Sequence, residues 1–480
     1  MRHSILKREK KSSATESEKA AVFSRFPFLG SLEGEVSGLI GVGTTDKIEA
    51  FAQAAEFLNS PRSGGQLLSE VVKILAASSY PAASARYELS LLPKFLSSDF
   101  LNAIVSSPAA LTGGVQCLDG QFTEISPSCF IAGFPVGPVL IVGSGNSLMP
   151  AIVSAVESII ANCPVALRGS RANHSALAEL FSGLRKTGST TLNQLLERVH
   201  LFYLDEHDAR EAADFGLLLR NGPFSAGNFW GGREALDFLV SEFAKNPRHP
   251  RIIPMEPMTG VAVVSETFIS QDAHHRTDAP IGLAQAISVM GQQLCSSPTE
   301  GYFIGDWQAA VRFGEQVSRA LEGIAVDDAN AGDESLSLLL DRIREHLEEA
   351  GSRVFTPAGG SPGLIAVTAK ESGFMRIPSD LHLQYHRRGR FLELIVLDTL
   401  EEAARHIQAL PAAPCHQGLN GVQTVIRLTS IVDAQRLFLA LRAKGVYRIV
   451  PSEYVVMRHA LEPLDGRNLL YELTSQAILF

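Results

Sequence analysis

Apolar positions along this chain follow two different periods. Between residues 46 and 110 the period is helical: DKIEAFAQAAEFL and QLLSEVVKILAAS each repeat apolar residues three and four apart. The stretch around Tyr80–Leu101 continues this as short helices. Near Phe130 the pattern changes. PVLIVG, residues 138–143, is short and wholly apolar, as expected of a parallel strand buried on both faces. LMPAIVSAVESIIA then predicts a helix, PVALRG a second strand, NHSALAELFSGL a helix and VHLFYL, residues 199–204, a third strand. REAADFGLLL, SAGNFW and REALDFLVSEFA predict helix, strand and helix. Strand and helix alternate to about residue 250, which signals a doubly wound α/β sheet. In such a sheet, ligands bind beyond the carboxyl ends of the strands.

GVAVVS, residues 260–265, starts a second α/β section. Helices are predicted at 276–290, 306–322 and 335–347, with strands at 363–369 and 391–397. TLEEAARHIQAL predicts a helix, and the chain ends on VQTVIRL, a helix from Val432 to Lys444, and VYRIV.

Composition narrows the class. The 480 residues suffice for two or three packed domains. A charged fraction of 19% beside 45% hydrophobic residues excludes a disordered polyelectrolyte. Lys and Arg number 42 against 51 Asp and Glu, so the net charge of −9 argues against nucleic-acid binding. Cys117, Cys129, Cys163, Cys295 and Cys415 are odd in number and widely spaced, which supports neither a disulfide framework nor a structural zinc site. Reduced thiols in a cytoplasm fit better. His274 and His275 read as a solvated pair in a polar loop with no metal partner at ligand spacing, so no metal is expected.

The N-terminal MRHSILKREKKSSATESEK is polar, lacks an apolar core, and carries Glu9, Glu16 and Glu18, so it reads as a mobile tail rather than a targeting peptide. The charge-free stretch Ile125–Val156 is long enough to span a bilayer. Pro127, Pro135, Pro138 and Pro150, with Gly133, Gly137, Gly143 and Gly145, break it too often for lipid-exposed backbone. A strand, a loop and a following helix explain it better.

Five segments offer chemistry, each with a plainer reading beside it. In GQQLCSSP, residues 291–298, Cys295 stands at an element boundary among polar neighbours, where a thiol can be exposed and activated. The plainer reading is a small core residue. GSGN, residues 143–146, follows a strand; Gly145 permits close approach to a ligand and the Asn146 amide suits an oxyanion, yet a strand-ending turn reads the same. As a dinucleotide fingerprint it lacks the third glycine, since Leu148 stands there. RGSRAN, residues 168–173, places Arg168, Ser170 and Arg171 where guanidinium groups could grip a phosphate such as the 2′-phosphate of NADP, or where a loop is merely solvated. Trp230, Gly231 and Gly232 precede a helix, which suits a pyrophosphate or an ordinary turn. Glu256 in PMEPMTG is a candidate acid–base group, or a surface carboxylate.

The order of these segments resembles the aldehyde dehydrogenase superfamily. More closely, the chain is similar to its acyl-CoA reductase branch, typified by LuxC, the fatty acid reductase of bacterial bioluminescence. GQQLCSSP resembles that branch's QQxCxSP nucleophile segment, VGSGNSLMP its GNxP segment and FWGGREAL its WGG segment. FLELIVLDTLEEA resembles the strand and helix beyond the nucleophile, and ILAASSYPAASARYELSLLPKFLS the helical leader. GVQTVIRL, GVYRIVPSEY and LDGRNLLYELT resemble its QTV, RI-P and DG-LL closing motifs. The resemblance runs from about residue 45 to the end.

The resemblance implies an aldehyde dehydrogenase-like α/β fold: a Rossmann-type cofactor domain, an α/β catalytic domain and a helical N-terminal leader. The expected boundaries are a tail at 1–32, the helical region at 33–125, the NADP-binding domain at 126–255, the catalytic domain at 256–425, and a segment at 426–480 returning to the core or to oligomer contacts. Cys295 matches the nucleophile and Asn146 the oxyanion-hole amide. Arg168 falls where the family has a Lys near the adenosine ribose. Glu256, 39 residues before Cys295, lies near the general base of the oxidising enzymes. Gly145, Ser170, Arg171, Trp230, Gly231 and Gly232 complete the expected cofactor contacts. HRRGR, ending at Arg390, stands where oxidising relatives carry a ribose-binding Glu, which implies exchangeable cofactor binding.

The implied activity is NADPH-dependent reduction of a long-chain acyl-CoA or acyl-protein thioester to a fatty aldehyde through an S-acyl cysteine. The implied partners are an acyl-protein synthetase or acyltransferase and further copies of this chain. Two alternatives stay open: a dehydrogenase oxidising aldehydes, which needs a working base at Glu256, and an acyl-binding subunit with little activity of its own.

Overall fold

In the computed structural model, the described residues are 16–479 without 79, 108–113, 272, 325–333, 359–360, 371–377, 384–387, 411–418, 420, 442–444, 456 and 463–464. Cys415 and His386 lie outside them.

The helical leader forms as the periodicity predicts, with helices Thr44–Asn59, Ser63–Ala77, Ala82–Phe95 and Ser98–Ser106. A short antiparallel pair follows, β1 (Thr123–Ser126) and β2 (Cys129–Pro135). The first large sheet comprises β3 (Val139–Val142), β4 (Val165–Arg168), β5 (Val199–Phe202), β6 (Ala226–Trp230) and β7 (Arg251–Met255). All pairs are parallel and the order is β5-β4-β3-β6-β7, so the winding reverses between β3 and β6.

The second sheet comprises β8 (Thr259–Ser265), β9 (Pro298–Ile304), β10 (Arg353–Phe355), β11 (Leu364–Ala369), β12 (Phe391–Leu397), β13 (Val422–Leu428) and β14 (Arg448–Val450). Its order is β10-β11-β12-β9-β8-β13-β14, parallel except for β10. The last strand, β15 (Thr474–Leu479), pairs antiparallel with β2. The sequence pattern does not disclose β1, β2, β7, β9, β10 or β15. Pro254 lies within β7, Pro298 opens β9, and β15 is mostly exposed with no apolar alternation.

The charge-free run resolves into β2, β3 and the helix Met149–Ile160. That helix carries Pro at its first turn, where no intrahelical N–H is lost, and every residue from Ala151 to Ile160 is buried. It is wedged between sheet and leader: Ile152 and Ile159 share one apolar core with Phe51, Leu75, Leu89 and Leu92. Its one charge, Glu157, is neutralised by Arg458 at 2.9 Å. Among the described residues, no helix is long and apolar enough to cross a membrane.

His274 and His275 lie on the helix Ala273–Ser288 rather than in a loop. His274 meets Asp278 at 3.1 Å, one turn on, because i and i+4 share a helix face. No cluster that could hold a metal occurs among the described residues.

Candidate active site

Two cavities meet where the sheets face each other. The carboxyl ends of the first sheet supply Trp230, at the end of β6, and Ser147 and Met149, beyond β3. The amino ends of the second sheet supply Leu294, Cys295 and Ser296 before β9, Gln423 in β13 and Arg448 in β14. Between them lies a cavity of about 160 Å³ whose apolar wall includes Leu91, Phe95, Met149, Val153, Leu294 and Val455.

Cys295 reaches this cavity because the backbone before it is bent. Met290, Gly291 and Gln292 have φ of 55°, 57° and 62°, three successive left-handed residues that only a strongly determined loop retains. The Gln292 side chain supplies that determination. Buried, it donates to the carbonyls of Pro298 (2.7 Å) and Phe391 (2.6 Å) and accepts from the Phe391 N–H (3.0 Å). Arg388, from the HRRGR segment, donates to the Ser297 carbonyl at 3.0 Å. Arg390 of the same segment donates to the Ile324 carbonyl at 3.0 Å. Both guanidinium groups thus brace backbone. Gly260 completes the fit: a Cβ there would stand 2.0 Å from the Ser296 carbonyl oxygen.

The Cys295 residue is half-buried and in no disulfide. Burial first, and then the Asp465 carboxylate, push its pKa up to about 12, while the Gln423 hydrogen bond and Arg448 pull it down.

Residues that sequence reasoning passed over complete this cavity. Glu88, from the leader helix Ala82–Phe95, is buried and accepts hydrogen bonds from Tyr80 (2.6 Å), the Met149 N–H (2.7 Å) and Ser147. Tyr80 also donates to the Asn146 carbonyl at 3.1 Å. The leader therefore clamps the loop beyond β3. Burial pushes the Glu88 carboxyl up. From the C-terminal segment come Arg448, paired with Glu462 at 2.9 Å, and Asp465, bonded to Gln423. The signal for these residues was charge in apolar surroundings, visible in YELSLL and in the closing motifs.

The second cavity, about 510 Å³, opens at the winding reversal of the first sheet. Gly143, Gly145, Arg168, Ser170 and Gly231 line it, and Trp230 lines both cavities. Arg168 is buried. It donates to the Leu204 carbonyl (2.9 Å) and to Glu206 (3.1 Å), and lies 4.9 Å over the Phe215 ring. Its Nε is buried without a hydrogen-bond partner. Asp205, Glu206, Glu211 and Glu234 also line it.

Of the expected residues, Cys295 and Trp230 come together in the first cavity, and Gly145, Arg168, Ser170, Trp230 and Gly231 in the second. Arg171 and Gly232 are exposed and line neither. The Asn146 amide donates to the Gln293 carbonyl at 2.8 Å, beside a small neighbouring cavity shared with Tyr80 and Met290. Glu256, partly buried just beyond β7, lines neither main cavity; with Asp465, its charge adds to the burial that raises the Tyr447 phenol.

A sequence profile of the family described as acyl-CoA reductase (LuxC) matches residues 49–327, more than half of the chain. The chain belongs to the acyl-CoA reductase (LuxC) family. The matched span runs from the leader through the first sheet to the loop that carries Cys295 and the strand β9 after it, and ends before β10. Solved aldehyde dehydrogenase structures share its fold. An aldehyde dehydrogenase from Brucella melitensis biovar abortus 2308 superposes with a TM-score of 0.67 at 14% identity, covering 95% of this chain and 89% of that one. The indole-3-acetaldehyde dehydrogenase of P. syringae gives 0.68 at 13%, covering 96% and 88%. The methylmalonate-semialdehyde dehydrogenase of Oceanimonas doudoroffii gives 0.68 at 12%, covering 96% and 90%. No curated protein matches the chain in sequence.

Proposed function

We propose that this acyl-CoA reductase family member converts a long-chain acyl thioester to the aldehyde with NADPH, through an S-acyl intermediate on Cys295. The observation that carries the reading is Trp230, which lines both the thiol's apolar cavity and the cleft at the winding reversal. A chain bound covalently at Cys295 and a dinucleotide in the cleft would meet at that indole.

The cleft fits a dinucleotide. It opens where ligands bind in doubly wound sheets, it carries Gly143 and Gly145 at a strand end, and Arg168, whose Nε is buried without a hydrogen-bond partner, lines it. Ribose hydroxyls could meet the lining carboxylates, and Arg168 with Ser170 could hold a 2′-phosphate once Glu206 lets go. The cofactor supplies a hydride when bound.

The chain's own residues do the rest. The Cys295 sulfur attacks the thioester carbonyl, and CoA or a carrier thiol leaves. The Cys295 N–H and the Asn146 amide would hold the oxyanion, which requires Asn146 to leave the Gln293 carbonyl. The apolar wall takes the acyl chain and excludes water, so reduction rather than hydrolysis discharges the intermediate. Reduction activates no water and needs no base for that purpose, which agrees with the position of Glu256 outside the cavity lining. The test is aldehyde production from a long-chain acyl-CoA with NADPH. Wild type should form it and Cys295→Ala should not; aldehyde from both would remove Cys295 from the reaction.

A further inference from the structure

Attack by Cys295 leaves a proton to be placed. The thiol sits at about 12, so a free thiolate is scarce at neutral pH. A thiolate that basic is also a poor leaving group when the thiohemiacetal collapses. Both steps call for a group that takes the proton as the carbon–sulfur bond forms and returns it as the bond breaks.

Three carboxylates line the cavity: Glu88, Glu462 and Asp465. Glu88 is committed to Tyr80, Ser147 and the Met149 N–H. Glu462 is neutralised by Arg448. Asp465 has no ion-pair partner among the described residues, and its donor, Gln423, hydrogen-bonds the Cys295 thiol as well.

The backbone is shaped for this arrangement. Gln423 stands at the break in register between β13 and β8, where one extra residue re-aims a side chain. Asp465 has φ 46°, a left-handed conformation that costs a residue with a Cβ. Gly466 follows at φ 76°, and a Cβ there would lie 2.3 Å from the Tyr447 ring. The charged groups around Asp465 are Arg448 beside Tyr447, and Arg458 with Glu462 on the same segment. Burial raises its carboxyl above the usual range, closer to what a shuttle needs.

We propose that Asp465 is the proton shuttle of Cys295. This rests on the reductase reading above. As sulfur bonds to the acyl carbon, the S–H proton passes to the Asp465 carboxylate. The departing CoA sulfur takes that proton and leaves as the thiol. After hydride delivery, a proton regained by Asp465 from solvent passes to the Cys295 sulfur as its bond to carbon breaks, and the aldehyde is released. One thioester, one hydride and one solvent proton give one aldehyde and one thiol.

The test compares wild type and Asp465→Asn in two reactions of Cys295, read by intact mass over time: acylation by myristoyl-CoA and alkylation by iodoacetamide. Asn adopts the left-handed region readily, so the variant keeps the backbone. Acylation of the variant at neutral pH should fall at least about a hundredfold and should rise in proportion to hydroxide, whereas wild type levels off. Alkylation should stay equal or become faster, because the neighbouring negative charge is gone. Acylation that is unchanged or faster would mean that Asp465 acts only through its charge, and overturns the proposal. Loss of both reactions together would assign Asp465 a structural part and overturn it too. Absence of any adduct on wild type contradicts the reductase reading itself, a separate result seen before the variant is compared.

Discussion

The cleft under Arg168 and the cavity around Cys295 are built in opposite ways. The cleft is made by one sheet and the helices that follow its strands: Gly143 after β3, Arg168 and Ser170 at β4, Leu204 after β5, Trp230 and Gly231 at β6, and the helices Ala209–Asn221 and Arg233–Phe243. The cysteine cavity draws on four distant segments: the leader through Glu88, the loop beyond β3 through Ser147, the nucleophile loop, and the C-terminal segment through Arg448 and Asp465. The cleft is wide and acidic, with one engaged guanidinium. The cavity is smaller and mostly apolar, with Arg448 and Arg458 in ion pairs and Glu88 and Asp465 held by uncharged donors. A site made by one sheet tolerates local change, whereas a site made by four segments depends on the contacts between them.

The largest break in that comparison should come at Gly260. Gly260→Val would drive side-chain carbon into the Ser296 carbonyl. It should cost about 3 kcal/mol or more and abolish Cys295 acylation. Chemical denaturation and intact mass would read both, and a stable variant that still acylates would deny the nucleophile loop its rigidity.

An intermediate effect is expected at the leader clamp. Burial raises the Glu88 carboxyl, so the folded chain holds that proton more tightly than the unfolded chain. The stability this contributes is present below the ordinary carboxylate pKa and is lost as pH rises through the folded value. Glu88→Gln should therefore flatten the fall in stability between weakly acid and neutral pH, measured by denaturant titration. An identical slope in variant and wild type would show that another group controls it.

The smallest effect belongs to the cleft. Glu206 is exposed and competes for the buried Arg168, and solvent screening at the exposed carboxylate holds such a pair to about 1 kcal/mol. Glu206→Gln should lower the KM for NADPH by up to about fivefold while leaving that for NADH alone. Equal shifts for both nucleotides would separate Arg168 from the 2′-phosphate.

The same contrast governs what the sequence discloses. PVLIVG and PVALRG are apolar runs ending in Gly or Arg, so strand and cleft residues can be read together. Cys295 was legible because its polar neighbours were odd for a core thiol. Glu88, Gln423 and Asp465 were visible only as members of motifs without roles, since nothing local says that the leader and the C-terminal segment meet at the sulfur. The pairing of β15 with β2 was hidden for the same reason. Asn146 was assigned by order along the chain, and its present bond to the Gln293 carbonyl is a matter of rotamer that no sequence pattern encodes.

The most direct measurement is the intact mass of wild type and Cys295→Ala after incubation with myristoyl-CoA without nucleotide, and again after NADPH is added. The account predicts one acyl group gained by wild type alone and lost as aldehyde on adding NADPH. An adduct on Cys295→Ala, or one on wild type that NADPH leaves in place, would contradict it.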